Sequence, residues 1–408
     1  MTAFYPVPEL TAFAAGLLEK AGLTADKAGT IAEILVEGDL LGHNTHGLQL
    51  LSLYLDELVN DRMTKSGAPR VVADFPAAVT WDGRRLPGPW LTVRAIELAS
   101  GRARTNGSCS VVIRRSHHIA CLAAYLRPVT EQGLMVMLAC SDPRMGAVAP
   151  HGGRRGVYTP NPIAAAWPTD AGPVMMDTSM SIASHGVARR FRDEKRRLPG
   201  AWLLDAQGNP SDDPAELFAE PPGALLPIGG LDHGYKGFGL GLLVEALTGG
   251  LAGHGRADPS EGWSANVFLQ VFNPALFGGE DGFRRQTTWL AEACRRTPPR
   301  PGFDRVRLPG EQSLRLRSTQ LREGVNLYPA IMPLGVSPRG SQALYRAVQA
   351  LALLEGRDYA IPDDVKRLAA PLFAHRVVIN TRTTLVQRRA DVGERIIEEI
   401  LNQVEVPL

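Results

Sequence analysis

The stretch from Asp39 to Tyr54 contains the residues whose types and spacing best suit chemistry. His43 and His46 are three positions apart, and Thr45 places a hydroxyl beside His46. An imidazole titrates near neutrality, and a hydroxyl next to it can orient a substrate oxygen. The pair therefore suits the general acid that is needed when hydride reduces a carbonyl or an imine. The alternative for this stretch, taken alone, is a capped helix end with a solvated histidine.

Two predicted helices position these side chains. Apolar residues share one helix face over residues 24–42, and an earlier helix is predicted over residues 9–22. Gly42 and Gly47 then interrupt the pattern, and helical spacing returns from Leu48 to Leu58. The sequence therefore predicts that the polar side chains lie in a break between two helices.

A second histidine pair follows a short β-branched run. Val111 to Ile113 predicts a buried strand, which delivers His117 and His118 at its end before helical spacing resumes at Leu122. Strand-to-helix turns hold functional groups on a rigid frame. His118 is thus a second candidate acid/base group or substrate ligand, and the alternative is that it caps the following helix.

Polar residues also stand at the ends of further predicted strands. Ser141 follows one strand, Asn161 precedes the next, and Asp177 closes a third, with Ser181 just beyond it. Backbone N–H groups at such ends can approach a phosphate, and a carboxylate there can hold a ribose. Taken alone, these stretches also fit ordinary turns.

Lys236 lies in a glycine-rich stretch ahead of an apolar helical stripe. From Leu240 onward the leucine spacing predicts a buried helix, kept thin by glycines, whose N-terminus points at Lys236. Helix-end N–H groups and a lysine form an anion site suited to a pyrophosphate. The chain contains neither a P-loop nor a Gly-x-Gly-x-x-Gly fingerprint.

The composition limits the function classes. A chain of 408 residues predicts two or three domains, and 44% apolar with 21% charged residues is an ordinary globular composition. A net charge of +2 gives no reason to expect a nucleic-acid or membrane partner. Without a signal-peptide pattern or a membrane-length apolar run, we expect a cytoplasmic protein. Its four cysteines lack metal-finger spacing, and we expect small buried hydrophobes at Cys109, Cys121, Cys140 and Cys294.

The motifs at residues 39–47 and 236–240 resemble those of the malate/L-lactate/ureidoglycolate dehydrogenase family. They are Asp-x-x-Gly-His-x-[Ser/Thr]-His-Gly and Lys-Gly-[Tyr/Phe]-Gly-Leu, and further family motifs follow in order over residues 5–332. This family reduces 2-oxo acids or cyclic imino acids with NAD(P)H and is unrelated to the Rossmann-type dehydrogenases. The resemblance implies an α/β fold of the non-Rossmann, mixed-sheet type, with helices packed on the sheets.

The resemblance also implies roles for individual residues. His46 is the expected acid/base group, assisted by Thr45 and His118, and no metal is expected. A homodimer is expected, because family members are usually dimers, and the substrate is a small 2-oxo acid or cyclic imine. The family motifs that contact NAD or NADP fall here on Ser141, Asn161, Asp177, Ser181, Lys236, Pro309, Gly310 and Glu311.

Two departures from the family pattern bear on the substrate and the cofactor. Leu50 stands where the family has an arginine that clamps a carboxylate, and Val187 stands where it has a lysine. The reaction type tolerates these changes better than the substrate identity does. The basic run from Arg189 to Arg197 fits either a 2′-phosphate contact or a solvated loop, so NAD and NADP both stay open.

A different pattern begins near residue 334. Apolar stripes over residues 344–351, 365–372 and 392–400 predict a small C-terminal all-α three-helix bundle. Ser-Pro-Arg-Gly and Pro-Asp-Asp-Val within this segment resemble the lid domain of MoxR-type AAA+ ATPases. Walker motifs are absent, so we expect no ATP hydrolysis and interpret Arg339 as a surface or interface residue.

These patterns predict three domains: a discontinuous core and substrate domain (1–120 and 255–332), a nicotinamide-binding domain (121–254) and a lid-like bundle (333–408). Two other functions remain open. One is an impaired dehydrogenase-like module that binds or assembles with a partner through its terminal bundle. The other is a metal-dependent hydrolase, whose ligands would come from Asp39, His43, His46, His117 and His118.

Overall fold

The computed structural model describes residues 4–259, 262–327 and 338–373, with only the backbone of residues 338–343. Contacts divide the chain into two compact units, Met1–Asn326 and Leu327–Leu408. No helix within the described ranges combines the length and apolar character that crossing a membrane requires.

The first unit begins with the two predicted helices, α1 (Val7–Lys20) and α2 (Ala25–Leu40). Gly22 separates them with a φ of +102°, which favours glycine at this turn. After α2, two 3₁₀ turns at Asn44–His46 and Leu48–Leu50 lead into α3 (Leu51–Val59). The predicted break between helices is therefore confirmed.

Strands and further helices alternate along the rest of the unit. The strands are β1 (Phe4–Tyr5), β2 (Arg70–Phe75), β3 (Ala78–Asp82), β4 (Ser108–Ser116), β5 (Met135–Ser141), β6 (Ile163–Trp167), β7 (Val174–Thr178), β8 (Leu203–Leu204), β9 (Pro210–Ser211), β10 (Ala224–Leu225), β11 (Ala265–Phe272) and β12 (Val325–Asn326). The helices are α4 (Gly88–Asn106), α5 (Arg127–Thr130), α6 (His185–Asp193), α7 (Gly230–Glu245), α8 (Glu280–Arg296) and α9 (Glu311–Glu323).

Seven of the described strands form one mixed sheet in the order β2-β3-β4-β11-β5-β6-β7. The β3–β4 pair is parallel, and the other neighbours are antiparallel. Val111, Val112 and Ile113 of β4 are all buried because the strand is central and covered on both faces, with α4 packed against it. The predicted mixed α/β fold is confirmed.

The sheet crosses the domain boundary that we predicted within the first unit. β11 belongs to the predicted core domain and β5 to the predicted nicotinamide domain, yet they pair along seven residues from Asn266 to Phe272. Residues 1–326 form one compact unit by their contacts. The division into 1–120 with 255–332 and 121–254 stays a prediction.

Helix α7 differs from its predicted start. It begins at Gly230 rather than near Leu240, and the backbone is non-helical at His233, with a φ of −122°. Lys236 therefore lies in the first turn after this interruption instead of ahead of the helix. A lysine in a first helical turn can still meet an anion near the helix N-terminus.

The prediction of a buried helix holds only in part, because α7 is buried along one side and exposed along another. Gly234, Gly237, Gly241 and Val244 are its buried residues, and Gly241 packs so close to the Tyr158 ring that a Cβ there would lie 2.6 Å from it. Leu240, Leu242 and Leu243 are exposed at 48%, 49% and 50%, whereas Val244 of the predicted stripe is buried. Apolar spacing identified the helix correctly but did not show how much of the stripe the core covers.

The second unit contains α10 (Pro338–Leu354) and α11 (Pro362–Phe373), which pack against each other. Arg357 joins their connection to α11 through two bonds to Asp364, at 2.8 and 2.9 Å. These helices match the first two predicted stripes. The third stripe, over residues 392–400, and the side chain of Arg339 lie outside the described residues.

Candidate active site

The histidine-bearing turn between α2 and α3 is held by the buried carboxylate of Asp39. Its Oδ2 accepts the N–H of Leu48 at 2.7 Å, and its Oδ1 accepts the Asn44 side-chain amide at 3.1 Å. Gly47 lies directly against the carboxyl group, where a Cβ would come within 2.4 Å of Asp39 Cγ. Only glycine fits there, and the turn is consequently clamped to the end of α2.

Burial raises the pKa of Asp39 to about 6, and the bonds from Leu48 and Asn44 oppose that rise only partly. From the sequence, Asp39 was a candidate only as a metal ligand, and no role in positioning the turn was predicted. A carboxyl residue at the end of an apolar helix face, just before a glycine-rich turn, was the available signal.

Thr45 and His46 form the predicted pair. Thr45 Oγ1 lies 2.9 Å from His46 Nδ1, so the hydroxyl fixes the orientation of the ring and leaves Nε2 for other partners. The pKa of His46 is lowered to about 4, mainly by burial and to a smaller extent by the nearby His43. The His46 imidazole is therefore neutral near pH 7 and able to accept a proton.

His118 is fixed by Tyr54 and by its own chain. The Tyr54 hydroxyl lies 2.9 Å from His118 Nδ1, and the Ala120 N–H donates to the same nitrogen at 3.2 Å. Because an amide N–H can only donate, Nδ1 is an acceptor and the neutral ring carries its proton on Nε2. Burial places the pKa of His118 well below its ordinary value. Tyr54, which ends the Asp39–Tyr54 stretch, is thus a site residue that the motifs did not predict.

The structure brings His46 and His118 together although 72 residues separate them. Their rings are stacked with centroids 5.9 Å apart and planes inclined by 21°. Trp263 packs edge-on against His118, with 4.7 Å between the ring centroids, and so covers the His118 side of the pair. Two neutral imidazoles, each oriented by a hydroxyl, are suited to exchanging protons with one substrate group.

The five ligands of the hydrolase hypothesis do not come together in the described residues. His117 is fully buried with Nε2 3.3 Å from Glu57 Oε2, and the Asp39 carboxylate is occupied by Asn44 and Leu48. Among the described side chains, the group of three or more potential metal ligands that does form contains only one of the five, His43. The geometry therefore gives this hypothesis no site.

Asp177 lies at the end of β7 and faces the turn after His118. Its Oδ2 accepts the Ala123 N–H at 2.8 Å and the Cys121 thiol at 3.9 Å, and burial raises its pKa. Ser181, four residues later, is buried and donates its hydroxyl to the Ala183 carbonyl at 2.6 Å. Their predicted contacts with a cofactor stay predictions.

The segment from Met180 to Gly186 links the histidine turn to the start of α7. At one end, the Met180 carbonyl accepts the Ile228 N–H at 3.0 Å, just before Gly230. At the other end, a Cβ on Gly186 would lie 3.2 Å from Thr45 Cβ. One short segment therefore contacts both Thr45 and the entry to the helix that carries Lys236.

The side chains of Ser141 and Asn161 are buried and already hydrogen-bonded inside the protein. Ser141 Oγ lies 2.7 Å from Thr248 Oγ1, and Asn161 donates to the Gly241 carbonyl at 3.0 Å and to Glu245 at 2.9 Å. A direct side-chain contact with a cofactor would break these bonds. The contacts place both residues against the helix that follows Lys236.

Lys236 and the loop at residues 309–311 lie at the surface of the first unit. Lys236 is exposed, and no described carboxylate forms an ion pair with it. Pro309 accepts the Met175 N–H at 3.2 Å, and Gly310, at a φ of +82°, begins α9 against the same residue. Glu311 accepts the Leu308 N–H at 3.0 Å, so the loop is fixed two residues from Asp177 along β7.

The two departures from the family pattern lie on different elements. Leu50 is half-buried in the 3₁₀ turn before α3, and Val187 packs against the buried cluster around Tyr158 and Leu203. In the basic run after Val187, three arginines pair with acidic side chains, as expected for a solvated loop: Arg192 with Asp193, Arg196 with Glu194, and Arg197 with Asp212 and Asp213.

Comparison with known proteins agrees with the motifs. The family model described as malate/L-lactate dehydrogenase matches residues 5–333, and a model described as AAA lid domain matches residues 331–400. The L-lactate dehydrogenase of Cupriavidus necator is 35% identical over 315 residues, covering 75% of this chain and 88% of that protein. The Δ(1)-pyrroline-2-carboxylate/Δ(1)-piperideine-2-carboxylate reductase of Pseudomonas putida is 27% identical, covering 78% and 92%.

Solved structures with the same fold include a malate dehydrogenase. The structure of malate dehydrogenase from Pyrococcus horikoshii OT3 superposes with a TM-score of 0.73 at 25% identity, covering 88% of this chain and 97% of that one. Both resemblances drawn from the sequence motifs are therefore confirmed. The chain is an oxidoreductase that belongs, over residues 5–333, to the malate/L-lactate dehydrogenase family.

Proposed function

We propose that the chain transfers a hydride between NAD or NADP and a 2-oxo/2-hydroxy acid or a cyclic imino acid, with His46 as the acid/base group. The observation that carries this proposal is the stacked pair of His46 and His118, in which Thr45 and Tyr54 orient one ring each. Named relatives act on hydroxy acids and on cyclic imines, which supports both substrate classes.

Each histidine has a distinct task in this proposal. His46, with Nδ1 oriented by Thr45, takes the proton from the substrate hydroxyl or amine during oxidation and returns it during reduction. His118 carries its proton on Nε2 and donates a hydrogen bond to the substrate oxygen or nitrogen. Because the pKa of His46 is about 4, the ring is unprotonated near neutral pH and can act as the base during substrate oxidation. Substrate reduction requires His46 to be protonated first.

The residues present fit a nicotinamide dinucleotide. Gly229 and Gly230 have φ values of +97° and +62° just before α7, and Lys236 offers a cation that no described carboxylate neutralises. Lys236 would hold the pyrophosphate, and Asp177, Ser181 and the Pro309–Glu311 loop would contact the nucleoside portion. When bound, the cofactor supplies or accepts the hydride.

A homodimer is part of this proposal. Leu240, Leu242 and Leu243 of α7 are exposed, as is Leu251 beyond its end, and exposed apolar patches of this kind mark association surfaces. A second copy of the chain would cover Leu240, Leu243 and Leu251. Sedimentation of the purified full chain tests this, and a monomer at every concentration contradicts it.

The activity is tested by following nicotinamide absorbance with NADH and NADPH against a panel of 2-oxo acids and cyclic imines. We expect turnover with at least one pair, and a loss of about 10²- to 10⁴-fold in His46→Gln. His254→Gln, which changes a histidine outside the stacked pair, is the matched control. No turnover by a folded chain across the panel would contradict the proposal.

The binding-module hypothesis keeps one observation in its favour. In the second unit, α10 and its connection to α11 expose large apolar side chains, namely Tyr345, Leu353, Leu354 and Tyr359. If this unit drives association, a chain that ends at residue 333 should sediment differently from the full chain. Unchanged sedimentation together with retained turnover counts against an assembly role.

A further inference from the structure

Three side chains with metal-binding atoms converge beside the histidine turn. His43 precedes the first 3₁₀ turn, Cys121 precedes the 3₁₀ turn at Leu122–Tyr125, and Asp177 lies on β7. Their ligand atoms all lie within 4.8 Å of one another, and Cys121 Sγ is 3.9 Å from Asp177 Oδ2. The three come from distant parts of the chain, so the fold alone creates the cluster.

We propose that His43, Cys121 and Asp177 form a site for a divalent cation of the zinc class. An imidazole nitrogen, a thiolate and a carboxylate oxygen are the three donor types that Zn²⁺ prefers. With bonds of about 2.0 to 2.3 Å in tetrahedral geometry, ligand atoms stand about 3.3 to 3.6 Å apart. The observed spacing therefore needs to contract by about an ångström, and the fourth position would take water.

The surroundings of the three ligands suit this contraction. Neither ring nitrogen of His43 has a hydrogen-bond partner among the described residues, so the ring can turn without breaking a bond. Asp177 Oδ2 is oriented by the Ala123 N–H at 2.8 Å, which is the kind of outer contact that fixes a ligating carboxylate. The ligands are thus partly arranged before a cation arrives.

The proton balance of binding is simple. Cys121 donates its thiol proton toward Asp177 in the structure, and the sulfur must lose that proton to become a ligand. The cation therefore replaces the proton between these two side chains, one proton is released to solvent, and no oxidant or reductant is needed.

This site is separate from the proposed acid/base pair. Its ligands are not His46 or His118, and cation binding requires no turnover. Asp177 is also a predicted cofactor contact, so the measurement is made without any nicotinamide. A failure of the metal site would leave the activity test unaffected, and the reverse also holds.

Titration of the reduced full chain with Co²⁺ alone tests the proposal. Bound Co²⁺ with a thiolate ligand gives a sulfur-to-cobalt charge-transfer absorption in the near ultraviolet, and added Zn²⁺ should displace it. We expect one equivalent to bind. Cys121→Ser should abolish the charge-transfer band, and His43→Gln should weaken binding by at least about tenfold.

Cys140→Ser is the matched control, because Cys140 is a thiol on β5 whose sulfur donates to the Ser141 carbonyl rather than to the cluster. It should keep the full band. A band that survives in Cys121→Ser, a band lost in Cys140→Ser, or no Co²⁺ binding by the folded chain each overturns the proposal. Circular dichroism of each variant establishes that it is folded.

Discussion

The Tyr54 hydroxyl lies 2.9 Å from Nδ1 of His118 and 3.1 Å from the carbonyl oxygen of the same residue. One buried hydroxyl, whose single proton is available to either acceptor, thereby contacts both the ring and the backbone of a histidine 64 positions away. Gly88 supports the arrangement, since a Cβ there would lie 2.3 Å from that carbonyl oxygen. His118 is consequently held before any substrate arrives.

Tyr54→Phe removes this hydrogen bond while keeping the ring that fills the core. We expect turnover to fall by about 10- to 100-fold with little change in substrate KM, because His118 loses the partner that fixes its orientation. The free energy of unfolding should fall by about 1 kcal/mol. Steady-state kinetics and urea denaturation measure the two effects.

Tyr125→Phe is the control for that variant. The Tyr125 hydroxyl donates to the Ile119 carbonyl at 2.5 Å, so its loss costs a comparable buried bond without touching the His118 ring. We expect a similar loss of stability and near-normal turnover. Equal losses of turnover in both variants would show that Tyr54 acts only through general stability.

Asp39→Asn should change how stability depends on pH. Burial raises the folded-state pKa of Asp39 from 3.8 to about 6, so the folded chain holds this proton more tightly than the unfolded chain. The wild type therefore loses stability as pH rises through this window, and a neutral amide does not. Relative to wild type, the variant should gain about 2 to 3 kcal/mol between about pH 4 and pH 7.

This pH-dependent gain is added to a loss of stability that does not depend on pH, which comes from the altered hydrogen bonding of residue 39. The asparagine oxygen can still accept the Leu48 N–H, but its amide group would face the donor side chain of Asn44. Urea unfolding of both proteins across this pH range separates the two effects. A stability difference that does not vary with pH would contradict a raised Asp39 pKa.

Local patterns were enough to predict most elements of the fold. The β-branched run at Val111–Ile113 became the central strand β4, because such residues pack well when both faces of a strand are covered. The apolar stripe of α7 predicted a buried helix, yet Leu240 and Leu243 are exposed while Val244 is buried. A periodic stripe shows that one face is apolar, yet it does not show whether the same chain covers that face.

The site was only partly predictable for a related reason. The spacing of Thr45 and His46 is local and visible, but the meeting of His46 with His118 depends on tertiary packing, so only the family motifs indicated it. The positioning roles of Asp39 and Tyr54 were not predicted, because a buried carboxyl or hydroxyl group looks in sequence like any helix residue. Their roles follow from bonds formed across the fold.

Lys236→Gln should weaken binding of the nicotinamide cofactor. The lysine is exposed without an ion-pair partner among the described carboxylates, so its charge is available to a phosphate. We expect the cofactor KM to rise by about 10- to 100-fold with a much smaller change in kcat, since a charged hydrogen bond contributes about 1.5 to 3 kcal/mol. Lys236→Arg retains the charge and should restore most of the affinity. An unchanged cofactor KM in Lys236→Gln would remove this residue from the binding site.

Leu50→Arg returns the cation that the family pattern places three residues after Gly47. Leu50 is half-buried in the 3₁₀ turn that follows His46, so a guanidinium at this position could reach a substrate carboxylate. We expect kcat/KM for a 2-oxo acid to rise by about 10- to 100-fold relative to the neutral amide of the same compound. Leu53→Arg, three residues further along the chain and also half-buried, is the control and should leave that ratio unchanged. If both variants shift the ratio equally, the gain comes from general charge rather than from a clamp at position 50.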